Sequence, residues 1–364
     1  MNSLMVSMKD VAKEAGVSQP AVSYAYSGST KISASQREHI FSVAEKMGYP
    51  GPSLRGQSLR SGRVGAIGLV VMDQLSYALE DPWAVSLLKG ISRVNELANV
   101  ALTLFPMNSK KLEEGGQEGA ESNLAVRGLV DGLIVSTLPD DHPLVPFIIK
   151  RQIPLVVVDS PKLPGVAYVG IDDRAAASAQ MCHMVELGHR RIGILVERLC
   201  PDGYKGAVTW DRYQKSTEMI QRERVAGYLK AAAHIGLSFD DLEIVEAGGF
   251  TRALAEEAAN TLLGRQEVTA IIATSDVMAL GCLTIAKKLE YQVPEELSVI
   301  GFDDIPDAAR FGLTTIRQPL IEKGEWAARV LTEIIEAGAD SFVEPQVKIY
   351  PTRLIVRSTT AKPT

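Results

Sequence analysis

At 364 residues and 46% apolar composition, the chain is too long for one ordinary core and has material for two or three. Its longest apolar runs, Val64–Met72 and Leu155–Val158, fall far short of the ~20 residues that cross a bilayer, so no membrane partner is expected. The net charge of −6 argues against a nucleic-acid partner only if it is spread evenly.

It is not spread evenly. Up to position 63 there are eight cations (Lys9, Lys13, Lys31, Arg37, Lys46, Arg55, Arg60, Arg63) against four acids (Asp10, Glu14, Glu38, Glu45), a net of +4 that leaves −10 for the remainder. A basic head on an acidic body is the distribution that phosphate selects. Met1–Lys9 lacks the apolar core and cleavage site of an export signal, so the chain is expected to stay in the cytoplasm.

Three helical patterns precede position 50: Met8–Ala15, Gln19–Tyr26 and Ser35–Met47. The last carries Ile40, Phe41, Val43, Ala44 and Met47 on one face. Gly16 permits a tight turn after the first helix. Ser18 is placed to cap the second, and Pro20 lies in its first turn, where a missing N–H costs nothing. Val11, Ala15, Val17 and Val22 then pack the pair. This leaves Gln19, Pro20 and Tyr24 facing outward where a helix-turn-helix touches base edges, with Ser18, Ser23 and Thr30 as further candidate contacts. Any three-helix bundle shares part of this pattern; the charge split favours DNA.

Gly48-Tyr-Pro-Gly-Pro-Ser53 breaks the helix and begins a linker that ends near 62. From Val64 onward, Val/Ile/Leu runs alternate with amphipathic stretches, the pattern of parallel sheets covered by helices. The strand candidates are Val64–Val71, Ala101–Phe105, Gly132–Val135, Leu155–Val158, Tyr168–Ile171, Ile192–Val196, Ile244–Ala247, Ala270–Ala273 and Val299–Phe302. Helices are predicted over Ala84–Ala98, Ala175–Leu187, Arg224–Ile235, Ala253–Leu263 and Met278–Leu289. So many strands imply two lobes. The domains are set at 1–50, 51–62 and 63–364, with lobe one at about 63–165 and 315–340 and lobe two at about 166–314 and 341–364. Cys182, Cys200 and Cys282 have no Cys-x-x-Cys spacing, so buried inert thiols are expected, with no metal site and no cofactor.

Ligands of open parallel sheets sit beyond the carboxyl ends of the strands. Those ends are polar here: Asp73, Asp159, Asp172, Asp173, Ser275, Asp276, Asp303 and Asp304. A crevice lined with acceptors suits a polyhydroxylated or cationic ligand better than a phosphorylated one. Singly, each Asp is equally a turn former.

The run Met8-Lys-Asp-Val-Ala-Lys-Glu-Ala-Gly-Val-Ser18, with Val22-Ser23 and Gly48-Tyr49, resembles the head of the lactose-repressor (LacI/GalR) family of bacterial regulators. The likeness continues through Gly188-His-Arg-Arg-Ile-Gly193, Arg224-Val-Ala-Gly-Tyr228, Ser275-Asp276, Val293-Pro294, Ser298-Val-Ile-Gly-Phe-Asp-Asp304 and Leu313-Thr-Thr-Ile-Arg-Gln-Pro319. It implies an α/β fold in which a helix-turn-helix head precedes a two-lobed parallel-sheet domain like that of type I periplasmic binding proteins. It also implies double-stranded operator DNA and a small-molecule effector, a sugar favoured, as partners, and a homodimer formed through the Pro82–Gly90 segment. Pro52–Arg60 would fold as a hinge helix on operator, with Leu59 as a minor-groove wedge beside Arg60. Residues matching effector contacts are Asp159, Arg224, Ser275 and Asp303, with Phe250 as a stacking aromatic and Tyr77 and Asp81 after the first strand. Tyr24 and Pro20 depart from the family's usual base-reading residues, so the operator cannot be transferred. Gly56 and Gln57 replace its Ala-Arg, which implies a hinge more dependent on DNA for folding, since Gly costs a helix ~1 kcal/mol relative to Ala.

The rivals are an enzyme or a solute-binding protein on the same fold. Neither a Gly-x-Ser-x-Gly elbow, a P-loop, a Gly-x-Gly-x-x-Gly loop nor a His-Glu-x-x-His pair occurs, so no enzyme is expected. His189, just before a strand, reads as structural. The basic head opposes a solute-binding protein.

Overall fold

The computed structural model describes residues 6–51, 63–72, 75–94, 100–107, 128–264, 268–338 and 344–363. The chain divides into two units, Met1–Gly65 and Ala66–Thr364.

In the first unit, helices Met8–Glu14, Gln19–Tyr26 and Ala34–Lys46 are each opened by a serine. Ser7, Ser18 and Ser33 accept from the amides of Asp10, Ala21 and Gln36, satisfying donors that no helix can pair internally. Asp10 answers Ser7 by accepting from its amide at 2.9 Å, a reciprocal cap. Gly16 sits at φ +66°, the left-handed turn between the first two helices. Val11, Ala15, Val22, Ala25, Ile40 and Ala44 close the core, with Val17 half-buried beside them. Phe41, expected inside, is 40% exposed and meets the edge of Tyr26 at 5.0 Å.

The second unit is built on two sheets. The first contains β1 (Ala66–Met72), β2 (Ala101–Met107), β3 (Gly132–Ser136), β4 (Leu155–Val158), β5 (Ala167–Ile171) and β12 (Val347–Tyr350) in the order β12-β5-β4-β3-β1-β2. Every pairing in it is parallel. The second contains β6 (Ile192–Val196), β7 (Gly206–Ala207), β8 (Glu243–Glu246), β9 (Ala270–Ala273), β10 (Ser298–Asp303), β11 (Thr314–Arg317) and β13 (Arg353–Ile355) in the order β13-β11-β10-β9-β6-β8-β7. Its central strands are parallel, and β7 and β13 close the edges antiparallel. Strands β3 to β6 are buried along their whole length, as sheets covered on both faces require.

Both lobes share one winding. Going outward from β1, and from β6, the order reverses between that strand and the next crossover strand, β3 or β9, and a ligand crevice opens at such a reversal. Helix Pro82–Ile91 lies against helix Leu320–Ala337 in the first lobe, and Asp173–Leu187 against Met219–Ala233 in the second. Glycines let these backbones touch: a Cβ on Gly90 would stand 2.0 Å from the Ile321 carbonyl oxygen, and one on Gly227 2.3 Å from that of Arg174.

The lobe boundaries differ from those read in the sequence. β5 belongs to the first sheet, β11 to the second, and β12 and β13 return one strand to each. Helix Leu320–Ala337 and strands β11 to β13 were not among the predicted elements. Cys282 is buried as expected, whereas Cys182 and Cys200 are only half-buried.

Candidate functional site

In the head, Gln19 and Pro20 are exposed on the first turn of the second helix. Ser18 serves as its cap, its Oγ accepting from the Ala21 amide at 3.3 Å. Ser23 and Tyr24 are half-buried, and Lys31 Nζ lies 5.2 Å from the Tyr24 ring centroid, so a cation sits beside that aromatic. Thr30 is exposed. Arg37 is held by the Ser29 carbonyl at 2.6 Å and His39 by that of Ala15 at 3.2 Å, which ties the third helix to the first two. Leu59 and Arg60 lie outside the described residues, as does the hinge segment.

In the second unit a crevice opens between the lobes at both winding reversals. Its empty volume is about 890 Å³, open mouth included. The first lobe contributes Val71, Asp81, Trp83, Ser136 and Thr137; the second contributes Glu197, Glu218, Gln221, Arg224, Phe250, Ser275 and Asp303. At the mouth Asp140 joins the lobes, its carboxylate accepting from Arg222 at 2.7 Å and its amide donating to the Thr217 carbonyl at 2.9 Å.

The geometry brings together Asp81, Arg224, Phe250, Ser275 and Asp303. Arg224 is buried: it donates to Asp173 Oδ1 at 2.9 Å and to the Thr274 carbonyl, and its guanidinium carbon lies 3.6 Å from the Phe302 ring centroid. Burial alone would lower its proton affinity, but Asp173, Asp303 and Glu197 around it raise it. Ser275 caps helix Asp276–Lys288 through the Met278 amide. Phe250 carries Arg198 over its ring at 4.6 Å, and Arg198 in turn is paired with Glu218 at 2.5 Å.

Asp159 does not line the crevice. Its carboxylate takes two hydrogen bonds from the buried Lys323 ammonium, so the charge at the end of β4 is neutralised inside the first lobe. Asp172 is a helix cap, and Asp304 is paired with Arg317 and Arg357. Asp276 accepts from Thr315 at 2.6 Å and from the Ile305 amide at 2.9 Å, pinning the loop after β10. For these the turn-forming role prevails over ligand contact. Asp73 and the Tyr77 side chain lie outside the described residues. Trp83, in the first turn of helix Pro82–Ile91, packs against the first lobe's core and also lines the crevice.

Sequence reasoning missed Glu197 and Gln221. Gln221 is one helical turn before Arg224, a spacing that puts both on one face. Its Nε2 donates to Glu197 at 2.6 Å, while its Oε1 is buried with no protein partner among the described residues. Burial pushes Glu197 up from the usual carboxylate range, against the Ser275 hydroxyl that lowers it. Asp303 rises for the same reason despite Arg224, with Asp276 and Glu197 adding repulsion.

Asp81 caps helix Pro82–Ile91 through the amides of Trp83 and Ala84 at 3.1 and 3.3 Å, yet burial lifts it to about 6. Its folded value exceeds its unfolded one, so the folded state holds the proton more tightly and stability falls as pH rises from about 4 through 6. An Asp81→Asn variant, which keeps a capping oxygen, is expected to flatten that interval in a plot of Tm against pH. A slope equal to wild type between those values removes Asp81 from the titration.

Residues 7–51 match the family described as bacterial regulatory proteins, lacI family, and residues 181–360 match the periplasmic binding protein-like domain. A Mycobacterium tuberculosis HTH-type transcriptional regulator, Rv3575c, is 34% identical over 359 residues, covering 98% of this chain and 97% of its own. A crystal structure of a LacI-family transcriptional regulator from Corynebacterium glutamicum superposes with a TM-score of 0.74 at 29% identity, covering 97% of this chain and 98% of that one. The transcriptional regulator CelR in complex with cellobiose superposes with a TM-score of 0.66 at 25% identity, over 97% and 99% of the two chains. Among the described residues no helix is long and apolar enough to cross a membrane. With a capped helix-turn-helix in the first unit and an interlobe crevice in the second, this chain is a DNA-binding transcriptional regulator of the LacI family.

Proposed function

We propose that the crevice binds a neutral, hydroxyl-rich effector, a sugar favoured, and that the bound state sets the affinity of a homodimer for its operator, with repression as the output and no catalytic step. The observation that carries this reading is the convergence of acceptors at the two reversals. Asp81 comes from one lobe, Glu197, Asp303 and the free oxygen of Gln221 from the other. Sugar hydroxyls donate to such oxygens, Arg224 supplies one fixed donor, and Trp83 and Phe250 offer flat apolar faces to a ring. A phosphorylated ligand would set its charge against three carboxylates. The cellobiose bound by CelR agrees with this chemistry.

A dimer is supported by the exposed Leu75 and Leu79 and the half-buried Val85 on the two adjoining helices after β1. Two heads on one duplex occupy it sterically, which makes repression the simplest consequence. A ligand that favours one lobe arrangement changes operator affinity only by its differential binding, typically 1–3 kcal/mol or roughly 5- to 150-fold.

The test is a thermal-shift screen of the full chain against mono- and disaccharides, nucleosides and amines, followed by operator binding with and without the best stabiliser. A sugar is expected to raise Tm and to shift operator affinity within that range. Gln19→Ala is expected to weaken the specific site by about 1–3 kcal/mol while sparing nonspecific duplex. Stabilisation by amines or nucleosides with none by sugars defeats the ligand assignment.

A further inference from the structure

Beneath the crevice, where the chain returns from the second lobe to the first, four buried side chains form a line. Lys323, on helix Leu320–Ala337, is fully buried and donates to Asp159 Oδ1 and Oδ2 at 2.8 and 2.6 Å. The same ammonium donates to Gln318 Oε1 at 2.6 Å, and Gln318 Nε2 donates to Asp303 Oδ1 at 2.5 Å. Asp159 and Lys323 belong to the first lobe, Asp303 ends a strand of the second, and Gln318 lies on the crossover between them.

An ammonium has three donors and no acceptor, so the amide oxygen of Gln318 must face Lys323. Its NH2 group must then face Asp303, and an NH2 group is matched only by an oxygen that accepts. Turned over, the amide would offer its oxygen instead and favour an Asp303 that donates. That choice matters because burial, Asp276 and Glu197 all favour the neutral acid at Asp303, while Arg224 opposes them; Tyr228 and, across Arg224, Asp173 are further titratable neighbours. We propose that Lys323 is a positioning residue for effector recognition, fixing the Gln318 amide from the first lobe so that Asp303 meets the ligand as a hydrogen-bond acceptor. The assignment rests on the reading that the crevice takes a hydroxyl-rich ligand. It makes the ligand's hydrogen-bond polarity depend on a residue that does not touch it.

The experiment needs no ligand. The full chain is titrated while the infrared band of protonated carboxyl groups is followed, and subtraction of an Asp303→Asn variant isolates Asp303. Gln318→Met leaves the Asp159–Lys323 pair intact, whereas Asp159→Asn with Lys323→Met removes both charges together and buries neither alone. Each is expected to move the Asp303 titration up by about one to two pH units, the loss of one hydrogen bond to a charged group. All three substitutions together are expected to move it no further than Gln318→Met, because the lysine acts through the amide. Lys323→Arg, which keeps a pure donor, is expected to retain the wild-type titration. An unmoved titration in Gln318→Met or in the Asp159/Lys323 variant, or additive shifts when they are combined, overturns the proposal. Failure of every mono- and disaccharide in the screen to stabilise wild type defeats instead the sugar reading of the crevice and leaves the Asp303 titration to be judged by itself.

Discussion

Arg224→Ala is expected to lower stability by about 3–5 kcal/mol at neutral pH, the usual cost of stranding one member of a buried ion pair. Arg224 and Asp173 are 6% exposed in their side chains and 2.9 Å apart, so water cannot replace the lost guanidinium. The deficit is expected to shrink in acid. Burial already raises Asp173 with Arg224 present, and removing the cation raises it further. The variant's folded state then holds its proton above the unfolded value of ~3.9, so stability falls steadily as pH climbs past that value. Urea unfolding at pH 5 and pH 8 measures the difference: the gap between variant and wild type widens at the higher pH. Equal gaps would show that Asp173 does not carry the penalty. The same variant is expected to lose response to any crevice ligand while the head, a separate unit, still binds duplex.

Gly90→Ala is expected to destabilise by about 3 kcal/mol, and Gly90→Val by more. Helix propensity alone argues the other way, since Ala is favoured over Gly by ~1 kcal/mol. The contact decides the sign. The new Cβ would lie 2.0 Å from the Ile321 carbonyl oxygen and 3.0 Å from the Glu325 amide nitrogen, both backbone atoms that cannot swing aside. Facing it, a Cβ on Gly324 would meet the Leu87 carbonyl oxygen at 2.3 Å, so neither helix has slack to give. Overpacking of this kind costs 1–3 kcal/mol even where the neighbours relax, and here whole helices must part. Calorimetric Tm is the measurement, and a Tm raised by Ala would show that propensity outweighs the clash.

Much of the fold was legible because parallel strands covered on both faces must be apolar along their length. β1, β3, β4, β6, β9 and β10 therefore announce themselves as short Val/Ile/Leu runs. The strands that escaped carry no such signal: β7 is two residues long, β12 has three exposed residues of four and β13 is half-buried at best, because each closes an edge. β11 is Thr-Thr-Ile-Arg, polar in sequence though its first three residues are buried, since the Thr314 hydroxyl accepts from the Arg357 amide and that of Thr315 donates to Asp276. These omissions also misplaced the lobe boundary, which depends on where β5, β11 and β12 pair.

The crevice was legible to the same extent. Strand-end logic led to Ser275 and Asp303, and family likeness to Arg224 and Phe250. It failed for Asp159 because the partner that neutralises it, Lys323, is 164 residues away and was not read as part of any element. Glu197 sits directly after β6 and was open to the same logic. Gln221 was readable only once Arg224 had been placed on a helix, by counting back one turn.

The interleaving of the two sheets bears on how the polypeptide is made. Residues up to Gly65 form a contiguous unit that can organise as soon as it clears the ribosome. The lobes cannot, for β12 and β13 are contributed by Val347–Tyr350 and Arg353–Ile355, so each sheet waits for these late segments before its border is sealed. Until Val347–Ile355 has been made, a nascent reader of DNA would thus precede a half-finished receptor, its β5 and β11 margins open to misassociation.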